Sequence, residues 1–332
     1  MKKILMMGVR EDEKYFARKW AEEHNVIVHF SNQILDEKTY ELTQGFDGLC
    51  LQQTVGISKE LYHKLAADGF KQIAQRSAGI DMYDLQEAKN NNLMITNVPA
   101  YSPNAIAEFT VATLLYGLRH LQLIKTKNMK FDFTWNQDIL SKEVRSLNIG
   151  ILGTGRIGQV VAKILNGFGA HIIGYDLYQN ENAKDYLQYE EDFNTFLAQS
   201  DVITIHMPLT KGNYHLFDEN TFSKMKNGAI LINAARGGII DTQALLNALN
   251  TNKLSFCALD TYENEMPYVN KDCSNKEVTD DLLKQLIANE KVLYTPHIAF
   301  YTETAVENLV YGGLNACLDI LNTGTSEYVV NP

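Results

Sequence analysis

The sequence predicts an α/β fold of two parallel-sheet domains, one inserted into the other. Three observations carry this expectation. Short apolar runs alternate with amphipathic stretches along the whole chain. A glycine-rich passage, LGTGRIGQVVAKILNGFGAHIIGYD, occupies residues 152–176, near the middle of the chain and not at its start. A chain of 332 residues is long for one core and comfortable for two.

Taken in order, KKILMMGV reads as a strand, EDEKYFARKWAEEH as an amphipathic helix and NVIVHF as a second strand. FDGLCL, FKQIAQR and LMITNV continue the alternation as short, bounded apolar runs, so this region is expected to be a small sheet domain of its own. Ser102 then stands as an N-cap and Pro103 as the first residue of a long apolar helix, expected to carry the chain into the second domain. It is too hydrophobic for a solvent-facing connector. A less regular stretch follows, with Trp135 either reaching towards a partner subunit or sitting in the core.

The glycine passage has a physical reading. The run LNIGIL is a strand, and Gly153, Gly155 and Gly158 follow before a helix-spaced segment. Gly153 permits the tight turn, Gly155 lets backbone amides approach a pyrophosphate, and Gly158 lets helix and strand pack closely. HIIGYD is the next strand, and its terminal Asp176 falls where a carboxylate meets an adenosine ribose. This is a Rossmann-like dinucleotide site, and Asp176 would repel a 2′-phosphate, which favours NAD over NADP. A βαβ series runs on to about residue 297. From Thr302 a helical stripe of Val306, Leu309, Val310, Leu314, Cys317, Leu318 and Leu321 needs a surface to cover. Because chain ends often lie close together, the tail is assigned to the N-terminal domain, with packing on the nucleotide domain as the alternative. The expected division is a discontinuous substrate domain, 1–101 and 299–332, around a coenzyme domain, 102–298.

Composition narrows the partners. The net charge of −10 is spread along the chain without a basic block, which argues against nucleic acid. Cys50, Cys257, Cys273 and Cys317 show no metal or disulfide spacing, so no metal is expected and the thiols read as reduced, in a cytoplasmic protein. The opening apolar run is too short for a secretory segment, and no stretch has the length of a membrane span.

Chemistry is expected where strands end. Four apolar runs of the second domain each finish in a polar cluster, at His206, at Arg236, at Asp260 to Glu265, and at His297. A guanidinium matches a carboxylate bidentately, an imidazole exchanges a proton near neutral pH, and a neighbouring carboxylate can hold and charge it. Singly, Arg236 could be a helix-start ion pair, Glu265 a solvated charge and His297 a capped structural histidine.

The motifs RSAGID, NVPAYSPNAIAE, GTGRIG, NAARGGIIDT, LDTYENE and TPHIAFYTETAVENLV together resemble the D-specific 2-hydroxyacid dehydrogenase family, and within it the bacterial NAD-dependent D-lactate dehydrogenases most. The resemblance covers essentially the whole chain. It implies a flavodoxin-like substrate domain built from both chain ends, and reversible hydride transfer between NADH and a 2-keto acid, pyruvate giving D-lactate. It also implies a homodimer, and the long apolar helix after Ser102 is expected in that dimer's interface. Larger 2-keto acids of the isocaproate or phenyllactate kind are the alternative, and an NADH-sensing corepressor of the same fold is a remoter one. Carried onto this chain, Arg236 binds the substrate carboxylate and polarises the keto group, His297 is the acid/base, and Glu265 orients and charges it. Asp260 faces the nicotinamide side. The implied cofactor contacts are Arg156, Ile157, Asp176, Met207, Pro208, Asn213, Ala234, Ala235 and Arg236. The amides of Ala78 and Gly79 and the hydroxyl of Tyr101 hold the carboxylate from the opposite wall, with Phe300 beside the substrate side chain. One departure stands out: an aromatic is expected within LCLQQTVGIS, where this chain has Gln52, Gln53 and Thr54.

Overall fold

The computed structural model describes residues 1–331 and divides into two compact units, 1–102 with 301–331 and 103–300. The first unit begins β1 (Lys3–Met7), α1 (Glu11–His24), β2 (Ile27–Phe30), β3 (Gly48–Leu51), α2 (Lys59–Ala67), β4 (Gln72–Gln75), α3 (Leu85–Asn90) and β5 (Met94–Thr96). The second holds α4 (Pro103–Leu118), α5 (Leu121–Met129), β6 (Asn148–Leu152), α6 (Arg156–Gly167), β7 (His171–Tyr175), β8 (Gln188–Tyr189), α7 (Phe193–Gln199), β9 (Val202–Ile205), α8 (Glu219–Lys224), β10 (Ala229–Asn233), α9 (Thr242–Asn250), β11 (Leu254–Leu259), α10 (Asp281–Ala288) and β12 (Val292–Tyr294). The chain closes with α11 (Glu303–Thr323), part of the first unit.

The first sheet has the order β2-β1-β3-β4-β5 with every pair parallel, the flavodoxin-like arrangement. Its strands β1 and β3 read as nearly unbroken apolar runs because helices cover both faces, while β4 begins and ends in a buried glutamine. Leu49, Cys50 and Leu51 are fully buried, as are Ile4, Met6 and Met7. The tail helix α11 packs on α1, β3 and β4, burying Val310, Leu314 and Cys317, and Asn315 accepts the Trp20 indole N–H at 2.7 Å. The last residues add an element that composition hides. Val330 donates its amide to Ile95, and the Asn331 side chain bonds both Leu93 and Ile95, so the polar tail pairs with the edge strand β5.

The second sheet has the order β12-β11-β10-β9-β6-β7-β8, again parallel throughout. Its strand order reverses between β6 and β9, the point outside whose carboxyl ends ligands settle in open α/β sheets. The apolar helix α4 is covered within its own unit by α6, β10 and β11, and a Cβ on Gly117 would overlap the Phe256 ring. Much of the apolar character of α4 is therefore spent on its own core, while Phe109, Leu115 and Tyr116 stay half-buried. The exposed apolar surface lies just beyond it. Helix α5 buries no residue, and Met129, Phe131, Phe133 and Leu140 are exposed around a Trp135 that is 94% exposed, which rules out a core role for that tryptophan.

Candidate active site

The glycine loop joins β6 to α6. Gly153 has φ +92°, and a Cβ there would stand 2.8 Å from the backbone of His206, so the end of β9 lies against the turn. A Cβ on Gly158 would press into the Gly153 carbonyl. At Gly155 a Cβ would meet nothing within 4 Å, so no contact within the protein requires glycine there and the loop is open at this point. Gly155 and Arg156 are exposed at the start of a 12-residue helix with no side-chain cap, which leaves backbone donors facing outward. Asp176 is half-buried at the end of β7. It accepts from the Thr154 amide at 2.6 Å and hydroxyl at 3.1 Å, and its other oxygen takes the Tyr178 amide at 3.0 Å. The carboxylate is thus fastened to the loop while retaining acceptor capacity. These residues fit a dinucleotide, with an open cradle, a helix N-terminus and an acid at one end.

At the end of β9, His206 differs from an acid/base group. Both ring nitrogens are buried without a partner among the described residues, and burial pulls its pKa down to about 3, so the ring is neutral. Met207 is half-buried and Pro208 exposed; Asn213 spends its side chain on folding their turn, accepting from the Thr210 amide at 2.6 Å and donating to the Pro208 carbonyl at 2.8 Å.

At the end of β10, the fully buried Asn233 shapes the next turn. Its amide donates to the Arg236 carbonyl at 2.9 Å, and its oxygen accepts from the Ala235 amide at 3.0 Å, fixing Ala234, Ala235 and Arg236. Arg236 is half-buried, and its guanidinium donates to the Ala235 carbonyl at 2.9 Å. A Cβ on Gly237 would strike the backbone of residues 262 and 263, so this turn is pressed against the segment that carries Glu265.

Glu265 accepts from the Tyr262 amide through one oxygen at 2.9 Å and meets His297 Nδ1 through the other at 2.8 Å. His297 sits in the left-handed region at φ 59°. Asp260 holds it there: its carboxylate accepts from the Thr295 hydroxyl at 2.6 Å and the amides of Ile298 and Ala299 at 2.9 and 2.8 Å, while its carbonyl takes the His297 amide at 2.8 Å. Burial works against a charged His297. The Glu265 bond and charge, helped by Asp260, outweigh it and hold the imidazole pKa above its ordinary value, with Arg236 opposing weakly. Asp260 is itself pushed up, chiefly by burial.

The structure therefore brings Arg236, Asp260, Glu265 and His297 together, with Phe300 half-buried three residues beyond the histidine. Ala78, Gly79 and Tyr101 belong to the other unit. There the Ala78 carbonyl accepts from Asn97 at 2.8 Å, the Gly79 carbonyl from Ser77 at 2.7 Å, and the Tyr101 carbonyl from Asn308 at 2.6 Å. Gln53 is 1% exposed and bonded to Leu35, so it is a structural residue and lines no pocket. Sequence reasoning passed over Asn233, Thr295 and Ser77. A polar residue directly at the end of an apolar strand is the signal that finds the first two.

Residues 111–299 match the model of the D-isomer specific 2-hydroxyacid dehydrogenase NAD binding domain. Along 331 residues, all of both chains, the protein is 45% identical to a D-lactate dehydrogenase of Staphylococcus aureus. Among solved structures it resembles a D-lactate dehydrogenase of Treponema pallidum, with a TM-score of 0.90, 43% identity and 98% of each chain covered. It also resembles a D-2-hydroxyisocaproate dehydrogenase, with a TM-score of 0.91, 36% identity and 99% and 100% of the two chains covered. With a coenzyme-domain model matching more than half of its length and a relative 45% identical from end to end, the chain belongs to the D-isomer specific 2-hydroxyacid dehydrogenase family, and residues 111–299 are its NAD-binding domain.

Proposed function

We propose that the protein is an NAD-dependent D-lactate dehydrogenase that reduces pyruvate and oxidises D-lactate. The observation that carries the reading is the Glu265–His297 contact at 2.8 Å beside Arg236, in a chain so similar to D-lactate dehydrogenases. Bound NADH supplies the hydride. The amides at the start of α6, with Gly155, Arg156 and Ile157, hold the pyrophosphate, Asp176 takes the ribose, and Met207, Pro208, Ala234 and Ala235 line the cofactor. Arg236 pairs with the substrate carboxylate and polarises the keto oxygen. As negative charge grows on that oxygen, protonated His297 stabilises it and then delivers its proton; in the oxidative direction neutral His297 takes the proton back. Asp260 acts by fixing the histidine loop. The amides of Ala78 and Gly79 and the Tyr101 hydroxyl hold the carboxylate, and Phe300 packs at the side-chain end.

NADH oxidation compared across pyruvate, 2-ketoisocaproate and phenylpyruvate tests this, with kcat/KM highest for pyruvate and the D-isomer as product. Higher efficiency with either larger acid replaces it by the second reading, which the absence of an aromatic at residues 52–54 and the D-2-hydroxyisocaproate dehydrogenase neighbour favour.

The protein is further proposed to be a homodimer that buries the apolar surface of α5 and residues 131–140. Light scattering at micromolar concentration should return twice the chain mass of 37.5 kDa, and a monomer mass sinks the idea. Four free cysteines support a cytoplasmic setting, and no helix among the described residues is long and apolar enough to cross a membrane.

A further inference from the structure

Beyond the last rung between β3 and β4, the backbone ladder is continued by a side chain. Gln75, fully buried, donates through Nε2 to the Gln53 carbonyl at 3.1 Å and accepts through Oε1 from the Gln53 amide at 3.1 Å. Its amide thereby stands in for the next residue of β4, and the backbone of residues 77–79 is released from the ladder. The same Oε1 accepts from the Tyr83 hydroxyl at 2.7 Å, and the same Nε2 donates to Ser77 Oγ at 2.9 Å. Two donors and two acceptors fill the group's usual capacity, so its orientation is set by its surroundings. The direction propagates. Because Ser77 Oγ accepts from Gln75, its own hydrogen goes to the Gly79 carbonyl at 2.7 Å. Asn97 holds the Ala78 carbonyl at 2.8 Å and the Val98 amide holds that of Ser77 at 2.9 Å. All three carbonyls of the turn are committed, while the amides of Ala78 and Gly79 have no partner among the described residues. Consecutive free amides beside occupied carbonyls form a concavity for an anion.

We propose that Gln75, clamped by Gln53 and Tyr83, is a positioning residue that acts through Ser77 to turn the carbonyls of residues 77–79 away and present the Ala78 and Gly79 amides to the substrate carboxylate. The clamp rests on the reading that those two amides bind that carboxylate. It also explains why buried glutamines occupy strand ends where apolar residues would cost less: an apolar side chain cannot continue a ladder and set a hydroxyl at once.

Replacing Gln75 risks the fold, so the test is Ser77→Ala, with Ser77→Thr as the rescue that keeps the hydroxyl. In Ser77→Ala, KM for pyruvate should rise about tenfold, the scale of one part-buried carbonyl losing its donor. The change is carried by KM more than by kcat, NADH affinity by fluorescence titration is retained, and Ser77→Thr restores KM. Tyr83→Phe should move KM in the same direction by less. In parallel, amide signals of Ala78 and Gly79 in the full-length protein are followed by NMR as oxamate, a carboxylate analogue of pyruvate, is added with NADH. Shifted amides with an unchanged KM in Ser77→Ala overturn the clamp alone. Amides that oxamate leaves unmoved in the unsubstituted protein overturn the carboxylate reading, and the clamp with it.

Discussion

The two sheets end in different chemical currencies. At the carboxyl ends of the second sheet the side chains proposed as reagents are gathered: Arg236 and His297 keep part of their surface open, and the buried Glu265 meets the histidine at 2.8 Å. At the corresponding ends of the first sheet the charged and polar side chains are buried. Arg76 and Glu13, at 0% and 1% exposure, pair at 3.1 Å, with the guanidinium also bonding the Cys50 and Met7 carbonyls, and Gln53 and Gln75 fold inward beside them. What is left for a ligand there is backbone. One parallel topology thus supplies either side chains that titrate or amides that do not, according to whether the residue after the strand faces out or in.

If that contrast holds, changes in the second unit should alter proton transfer and pH dependence, and changes in the first should alter affinity alone. The largest effect is expected for His297→Ala, which removes the only titrating proton carrier proposed; kcat/KM should fall in both directions by on the order of 10²- to 10⁴-fold and lose its pH dependence. Steady-state profiles check this, and an unchanged profile returns His297 to a structural role. Arg236→Lys comes next. An ammonium cannot reproduce a two-pronged contact, so efficiency with the keto acid should drop roughly 10- to 100-fold, the worth of a charge-assisted hydrogen bond. Near-normal reduction by the lysine variant would reassign Arg236.

Glu265→Gln sharpens the contrast through pH. Glu265 raises the His297 pKa, and reduction needs the protonated ring, so reduction fades as pH climbs through that raised value. Without the carboxylate charge the pKa falls and the reduction limb moves to the acid side, with about a tenfold loss on its alkaline side for each pKa unit moved. Oxidation at high pH, which uses neutral His297, should change less. A limb that stays in place or moves to higher pH would separate the two residues functionally. The smallest effect is expected at Asp176→Ala. Relief of like-charge repulsion at close range, on the order of 1 kcal/mol, should narrow the NADH preference over NADPH several-fold. Because Asp176 also holds the Thr154 amide, the variant should lose some thermal stability as well.

Much of the site was legible because its signals are local. The 153–158 loop, the acid after β7, and the polar residues directly after apolar runs depend on spacing within a few residues, and a parallel strand announces its carboxyl end by where its apolar run stops. The tail stripe from Val306 to Leu321 likewise declared a helix with one face to cover.

Other features have no local signature. His206 and His297 look alike in the sequence, each ending a strand segment, yet one is a neutral ring with no partner among the described residues and the other has its pKa raised by Glu265, 32 residues away in the chain. Which face of α4 is covered, and therefore that α5 and Trp135 are the exposed apolar surface, depends on β10 and β11, more than a hundred residues downstream. The sequence by itself determined the α/β alternation, the dinucleotide loop and the residue types that the chemistry needs, since periodicity and glycine placement act over a turn or two of chain. Only the tertiary structure decided which of those residues are desolvated, paired and charged, because a pKa and a hydrogen bond belong to neighbours in space, and neighbours in space are set by the packing of whole elements.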